Sequence, residues 1–165
     1  MKRFAKDTAV PISRSRDEVQ KLLRQWEADA IRWTDDFAQD RVMLEFVWAH
    51  NGARYSARFA LQLPNATMLR PSAVDGRTRR FSEAKMRKLM EARGKREHRT
   101  LLLFLKGAFE AVEEGIITAE QLFLPFLVGR DGRTVSEVLL PKITALLSGG
   151  AEEMLPGHKG EGDVP

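Results

Sequence analysis

The sequence predicts an α+β fold, in which an N-terminal βαβββ-type, mostly antiparallel sheet carries one packed helix and is followed by a helical C-terminal region with one long helix. Apolar and polar residues alternate in two runs before residue 64, which is typical of strands, whereas apolar spacings of three and four dominate after residue 82. We therefore expect a strand-helix-strand-hairpin domain (1–64), a connecting arm (65–81), a helical region (82–147) and a disordered tail (148–165).

The first predicted elements are a short strand and an amphipathic helix. Residues 9–12 form an extended run that is interrupted by Pro11, which suits an edge strand. Ser15 and Glu18 have the spacing of a capping box, so we expect the helix to begin there. Its apolar residues then share one helical face: Val19, Leu22, Leu23 and Trp26.

Three further strands complete the predicted sheet. Residues 31–34 form one strand, and the alternating runs at 42–48 and 55–61 form a hairpin. Asn51 and Gly52 join the two runs, and this dipeptide favours the positive φ angles of a type I′ turn.

A long helix is predicted over residues 82–114. Gly94 leaves its continuity open, since glycine costs about 1 kcal/mol relative to alanine inside a helix. Gly115 is placed to end it in the left-handed conformation. The apolar residues of one broad face are Met86, Met90, Leu101, Leu102, Leu105, Phe109 and Val112.

Two short helices are predicted after the long one. Each is announced by a capping box, the first at Thr118 with Gln121 and the second at Thr134 with Glu137. A tight turn over residues 130–133 separates them, and their apolar residues are expected to pack against the long helix.

The segments 99–116 and 131–135, together with 16–30 and the hairpin, resemble a group of small proteins encoded by bacteriophages and prophages. The resemblance covers most of residues 8–143. It implies a phage-related setting, and it implies no activity, cofactor or catalytic residue.

Composition and motifs argue against most enzyme classes. The chain has no cysteine and three isolated histidines, so a zinc site is not expected, and no phosphate-binding glycine loop or Gly-x-Ser-x-Gly elbow occurs. A group of carboxylates follows the predicted strand at 31–34: Asp35, Asp36 and Asp40, with Glu45 as a candidate fourth member. We interpret it as a solvated loop, and a Mg²⁺ or Ca²⁺ site is the less favoured alternative. We expect no catalytic residues, metal or cofactor.

The charge is concentrated in one segment. Ten Lys or Arg and three Asp or Glu lie within residues 77–99, a local balance of +7 in a chain of net charge +4. Such a stripe can follow a phosphate backbone, so DNA or RNA is a candidate partner. The predicted nucleic-acid-binding residues are Arg77, Arg79, Arg80, Lys85, Lys88, Lys95, Arg96 and Arg99. A second basic surface is possible on the outer face of the sheet, at Arg32, Arg54 and Arg58.

Two alternatives to nucleic-acid binding stay open. The first is that the basic stripe is simply the solvated face of a helix, or that it pairs with acidic residues of the C-terminal region. Large apolar residues outside the main helical face also predict a protein-protein interaction module, either a homodimer or a partner of a phage or host protein, unless the short helices cover them. These residues are Leu103, Phe104, Phe123 and Leu124.

We expect a cytoplasmic protein without a membrane role. The charged N-terminal residues do not resemble a secretory signal, and the longest apolar run, residues 101–105, is far too short to cross a bilayer.

Overall fold

The computed structural model describes Ala5 and residues 8–63 and 82–148. The connecting arm predicted at 65–81 lies outside the described residues, as does the predicted tail except for Ser148. The elements are α1 (Ile12–Gln25), β1 (Ala30–Asp36), β2 (Arg41–His50), β3 (Ala53–Gln62), α2 (Glu83–Glu113), α3 (Ala119–Phe123), a 3₁₀ turn (Leu124–Phe126) and α4 (Val135–Ser148). The predicted α+β class is confirmed.

The three strands form one antiparallel sheet in the order β1-β2-β3. Leu44 at its centre is opposite Trp33 on β1 and Phe59 on β3. Asn51 and Gly52 have φ angles of 49° and 76°, which confirms the predicted tight turn between β2 and β3. The apolar residues of β2 alternate onto the buried face as predicted, where they meet the helices.

The predicted first strand and the predicted start of α1 are wrong. Residues 9–11 have no regular structure, and α1 begins at Ile12 after Pro11. Ile12 is drawn into the helix because its Cδ1 packs against Gly94 of α2. Ser15 consequently lies inside α1, where it is buried and its hydroxyl has no hydrogen-bond partner among the described residues.

Helix α2 runs without a break through Gly94. A Cβ at Gly94 would lie 3.2 Å from Cδ1 of Ile12, so the glycine permits close approach of α1. Gly115, with φ of 69°, ends the helix as predicted. Its amide bonds to the Val112 carbonyl while the amide of Ile116 bonds to that of Ala111, which is a Schellman motif.

Helices α1 and α2 lie side by side and run in the same direction. Ile12 contacts Gly94 near one end, and the rings of Trp26 and Phe109 are 4.3 Å apart at the other. A single core joins the sheet, α1, α2 and α3, so the two predicted regions share their buried residues. Within the described part of the chain, no helix combines the length and the apolar character that a membrane span needs.

Two confirmed capping boxes fix the starts of α3 and α4. Thr118 and Gln121 exchange hydrogen bonds of 3.2 and 3.3 Å. Thr134 donates its amide to Glu137 at 2.6 Å, and its hydroxyl accepts from the Glu137 amide. Between the boxes, Leu127 forms an isolated bridge to Ala57, which covers part of the outer edge of β3.

Candidate interaction surfaces

The structure places five of the eight predicted nucleic-acid-binding residues. Arg77, Arg79 and Arg80 lie outside the described residues. Lys85 and Lys88 are exposed in the first two turns of α2, whereas the other three, Lys95, Arg96 and Arg99, are half-buried. The helix therefore holds these five cations on neighbouring turns, but in two different environments.

Lys95 and Arg99 are paired with carboxylates. The Nζ of Lys95 lies 2.6 Å from Oε1 of Glu91, one turn earlier in α2. Arg99 donates to Oε2 of Glu18 at 3.0 Å, a contact that crosses to α1. Part of the stripe thus stabilises the packing of α1 on α2 and carries less charge toward an external partner.

Glu18 is the centre of a small network of cations. Besides Arg99, Lys106 lies 3.8 Å and Arg14 3.5 Å from its carboxylate oxygens. Burial acts to raise the pKa of Glu18, but the hydrogen bond from Arg99 and the three positive charges hold it below its ordinary value. Glu18 was predicted as a capping residue, and its side chain instead joins the two helices.

Lys88 and Arg96 differ from Lys95 and Arg99. Among the described residues, neither Lys88 nor Arg96 has a carboxylate within ion-pair distance. Arg93, which belongs to the same helix, is paired with Glu97 at 2.8 Å. The cations of α2 that are open to a phosphate group therefore include Lys88 and Arg96.

The outer face of the sheet does not offer free arginines. Glu45 of β2 lies opposite Arg32 of β1 and Arg58 of β3, and both guanidinium groups bond to its carboxylate. Burial opposes ionisation of Glu45, but these hydrogen bonds and charges keep its pKa below the ordinary value. Glu45 does lie on the outer face, but it is buried beneath its partners rather than solvated. Arg54 lies 3.7 Å from Asp29.

A buried histidine forms a cluster that the sequence did not indicate. His98 of α2 is 2% exposed, and its ring stacks on Trp33 with centroids 5.8 Å apart. Nε of Arg16 donates to Nε2 of His98 at 3.3 Å, and Nδ1 of His98 lies 2.9 Å from the Gly94 carbonyl oxygen. Burial lowers the pKa of His98, the Gly94 hydrogen bond acts to raise it, and the charge of Arg16 lowers it further.

The acidic residues at the end of β1 are held by arginines. Asp35 accepts two hydrogen bonds from Arg16, one of them 3.1 Å long, and these keep its pKa below the ordinary value despite partial burial. Asp36 accepts from Arg41 at 3.0 Å. In the described ranges, no three His, Asp or Glu side chains are grouped so that they could hold a metal ion.

A surface of a different kind lies on α4. Five large apolar side chains of this helix keep 42–76% of their surface exposed, and we call them the α4 face: Leu139, Leu140, Ile143, Leu146 and Leu147. Among the residues singled out in the sequence, Phe123 is fully buried, whereas Leu103, Phe104 and Leu124 are 40–50% exposed. The short helices therefore cover only some of these large apolar side chains.

Comparison with known proteins places the chain in no family. No protein-family model matches it, and neither the curated proteins nor the solved structures contain a match. The resemblance to small phage proteins stays a prediction.

Proposed function

We propose that this chain is a non-catalytic protein-interaction module that pairs with a second copy of itself through the α4 face. The observation that carries the proposal is the exposure of five Leu and Ile side chains on one 14-residue helix. Soluble domains seldom leave so many large apolar side chains together in water, and such patches are typical of interaction sites.

The arrangement of these side chains suits helix pairing. At about 100° per residue they fall within an arc of about 120°, with the spacings of three, four and seven that paired helices use. Pro141 projects from another side of α4 and does not interrupt this arc. Val135 and Val138 are half-buried on a neighbouring side, so α4 stays attached to the domain while the α4 face points away.

Charge favours a second copy as the occupant. Helix α4 contains one acidic residue, Glu137, and one basic residue, Lys142, so it has no net charge. Two chains of net charge +4 therefore meet no repulsion along this helix. A neutral, self-complementary apolar strip is what a two-fold interface requires.

The test is the oligomeric state of the full chain in solution, measured by sedimentation velocity and light scattering over a wide concentration range. We expect a concentration-dependent dimer for the wild type and a monomer for the double variant Leu140→Glu with Leu147→Glu. Phe37→Glu is the matched control, because Phe37 is 82% exposed on the loop between β1 and β2. It should dimerise like the wild type.

Two results would overturn the proposal. One is a wild-type protein that stays monomeric at near-millimolar concentration, which would leave the α4 face to a different protein. The other is a double variant that keeps its native circular dichroism and still dimerises, which would place the interface elsewhere.

Nucleic-acid binding is a second candidate function, favoured by Lys88 and Arg96. Their charges are not paired with carboxylates among the described residues, and they lie about two helical turns apart on one side of α2. DNA or RNA would be held through its phosphates, without base stacking. For either function we propose a cytoplasmic, phage- or prophage-related setting, supported by the sequence resemblance and the absence of cysteine.

A further inference from the structure

A cavity of about 840 Å³ lies at the end of the molecule where α1 ends, the β2–β3 hairpin turns and α2 connects to α3. Its volume is in the range of sites for small organic ligands. None of the residues on the α4 face and none of the cations of the stripe line it. The cavity is therefore a separate feature from both interaction surfaces.

The floor of the cavity is aromatic. Trp26 and Trp48 both line it, with ring centroids 6.1 Å apart, and both belong to or pack against the core. Trp48 is 3% exposed, and its indole Nε1 has no hydrogen-bond partner among the described residues. The Nε1 atom is itself fully buried, so Trp48 contributes no hydrogen-bond donor to the cavity.

The rim of the cavity is acidic although the chain is basic. Glu27, Asp29 and Glu120 line it, and no Lys or Arg of the described ranges does, in a protein with 27 Lys and Arg against 23 Asp and Glu. Glu120 lies 3.3 Å from Nε2 of His50, a histidine that also lines the cavity. The carboxylate of Asp29 has one ion pair among the described residues, the 3.7 Å contact with Arg54.

We propose that this cavity binds an organic cation, the chemistry of an arginine or lysine residue or of a free amine. The cationic group is held by the carboxylates of Asp29 and Glu120 and by the face of a tryptophan, and cations are attracted to indole rings by the ring quadrupole.

Titration calorimetry with small probes tests the proposal on the full chain. N-acetyl-arginine methylamide should bind, whereas N-acetyl-citrulline methylamide, the neutral isostere, should bind at least about tenfold more weakly. Argininamide with a free α-ammonium group separates the two sources of the ligand. Equal affinity of the blocked and free forms points to a residue within a peptide, and a preference for the free form points to a small amine.

Variants locate the site. Asp29→Asn and Glu120→Gln keep the side-chain shape and should each weaken the arginine probe several-fold, without changing the weak affinity for the citrulline probe. Asp131→Asn is the control, because Asp131 is an exposed carboxylate paired with Arg133 away from the cavity. It should bind as the wild type does.

An independent measurement does not depend on the variants. In ¹⁵N-resolved spectra of the wild type, the arginine probe should shift the indole N–H signals of Trp26 and Trp48 and leave that of Trp33 in place. Equal affinity for the arginine and citrulline probes would overturn the proposal. Shifts confined to the backbone N–H signals near other carboxylates, such as Glu18, would also overturn it. So would the absence of saturable binding at millimolar concentration.

Discussion

Arg16 and His98 are 82 positions apart in the sequence, and the guanidinium Nε of Arg16 donates a 3.3 Å hydrogen bond to Nε2 of His98. Since Nε2 accepts this bond, the ring carries its hydrogen on Nδ1, which donates to the Gly94 carbonyl at 2.9 Å. A histidine that donates from one nitrogen and accepts at the other is neutral. This relationship ties the first turns of α1 to the middle of α2.

The neutral state of His98 predicts a loss of stability at mildly acidic pH. In the unfolded chain a histidine takes up a proton near its ordinary value of 6.5, whereas burial lowers the pKa of His98 in the folded protein. Below pH 6.5 the unfolded state therefore binds more protons, and the free energy of unfolding falls as the pH falls. Urea unfolding between about pH 7 and pH 5 measures this slope.

His98→Gln should remove most of that slope, because glutamine does not titrate. His50→Gln is the matched control and should retain it, because this substitution leaves the buried His98 in place. The carboxylates with lowered pKa, such as Asp35 and Glu18, lose their contribution only as the pH falls below about their ordinary values of 3.8 and 4.5. An unchanged slope in His98→Gln would show that His98 is not the titrating group.

A second prediction concerns Glu45 on the outer face of the sheet. Glu45→Ala leaves Arg58 without its carboxylate, and Arg58 is held in place by a further 2.7 Å bond to the Gly132 carbonyl. We expect the free energy of unfolding to fall by about 2 kcal/mol, the size of hydrogen bonds to a charged group. Asp131→Asn is the control. It removes the exposed ion pair between Asp131 and Arg133 and should leave the urea midpoint unchanged. Equal midpoints for the two variants would contradict the prediction.

A third prediction compares two glycines within α2. Nothing lies within 4 Å of a Cβ added at Gly107, so Gly107→Ala should raise the free energy of unfolding by about 0.5–1 kcal/mol through helix propensity. A Cβ at Gly94 would lie 3.2 Å from Cδ1 of Ile12, so Gly94→Ala must displace that methyl group and should gain less or lose stability. Urea unfolding of both variants measures these changes. An equal gain in the free energy of unfolding would mean that Gly94 is not needed for the close approach of α1.

Local chemistry explains which elements the sequence could predict. The turn at Asn51 and Gly52, the end of α2 at Gly115 and the caps at Thr118 and Thr134 all depend on groups within a few residues of one another. The spacing of Ser15 and Glu18 matches the same capping pattern. It failed because tertiary contacts prevailed: Ile12 packs on Gly94, and Glu18 pairs with Arg99.

The candidate sites depend on partners that are distant in the sequence. Whether Arg99 and Lys106 of α2 are free or paired is decided by which residues of α1 lie beside them, and this follows from the parallel packing of the two helices. The His98 cluster and the cavity between Trp26 and Trp48 also combine three or more elements. Alternation and helical spacing identify faces, but they do not show which faces meet.

The last prediction uses this difference between free and paired cations to test nucleic-acid binding. Replacing Lys88 and Arg96 by serine should weaken binding to duplex or single-stranded DNA. It should also reduce the slope of log K against log salt by about two, because each lost phosphate contact removes close to one counterion. Fluorescence anisotropy with a labelled oligonucleotide over a salt series measures both quantities.

Replacing Lys95 and Arg99 by serine is the matched comparison. Both side chains already have carboxylate partners, Glu91 and Glu18, so this pair of substitutions removes less charge that is free to meet a phosphate. We expect a smaller loss of affinity and a smaller change in slope than for Lys88 and Arg96. Equal effects of the two double variants would mean that the ion pairs open when nucleic acid binds. A wild-type protein without salt-sensitive binding at low ionic strength would leave the basic residues of α2 with a structural role alone, because the bonds from Arg99 to α1 and from Lys95 to Glu91 do not need a partner.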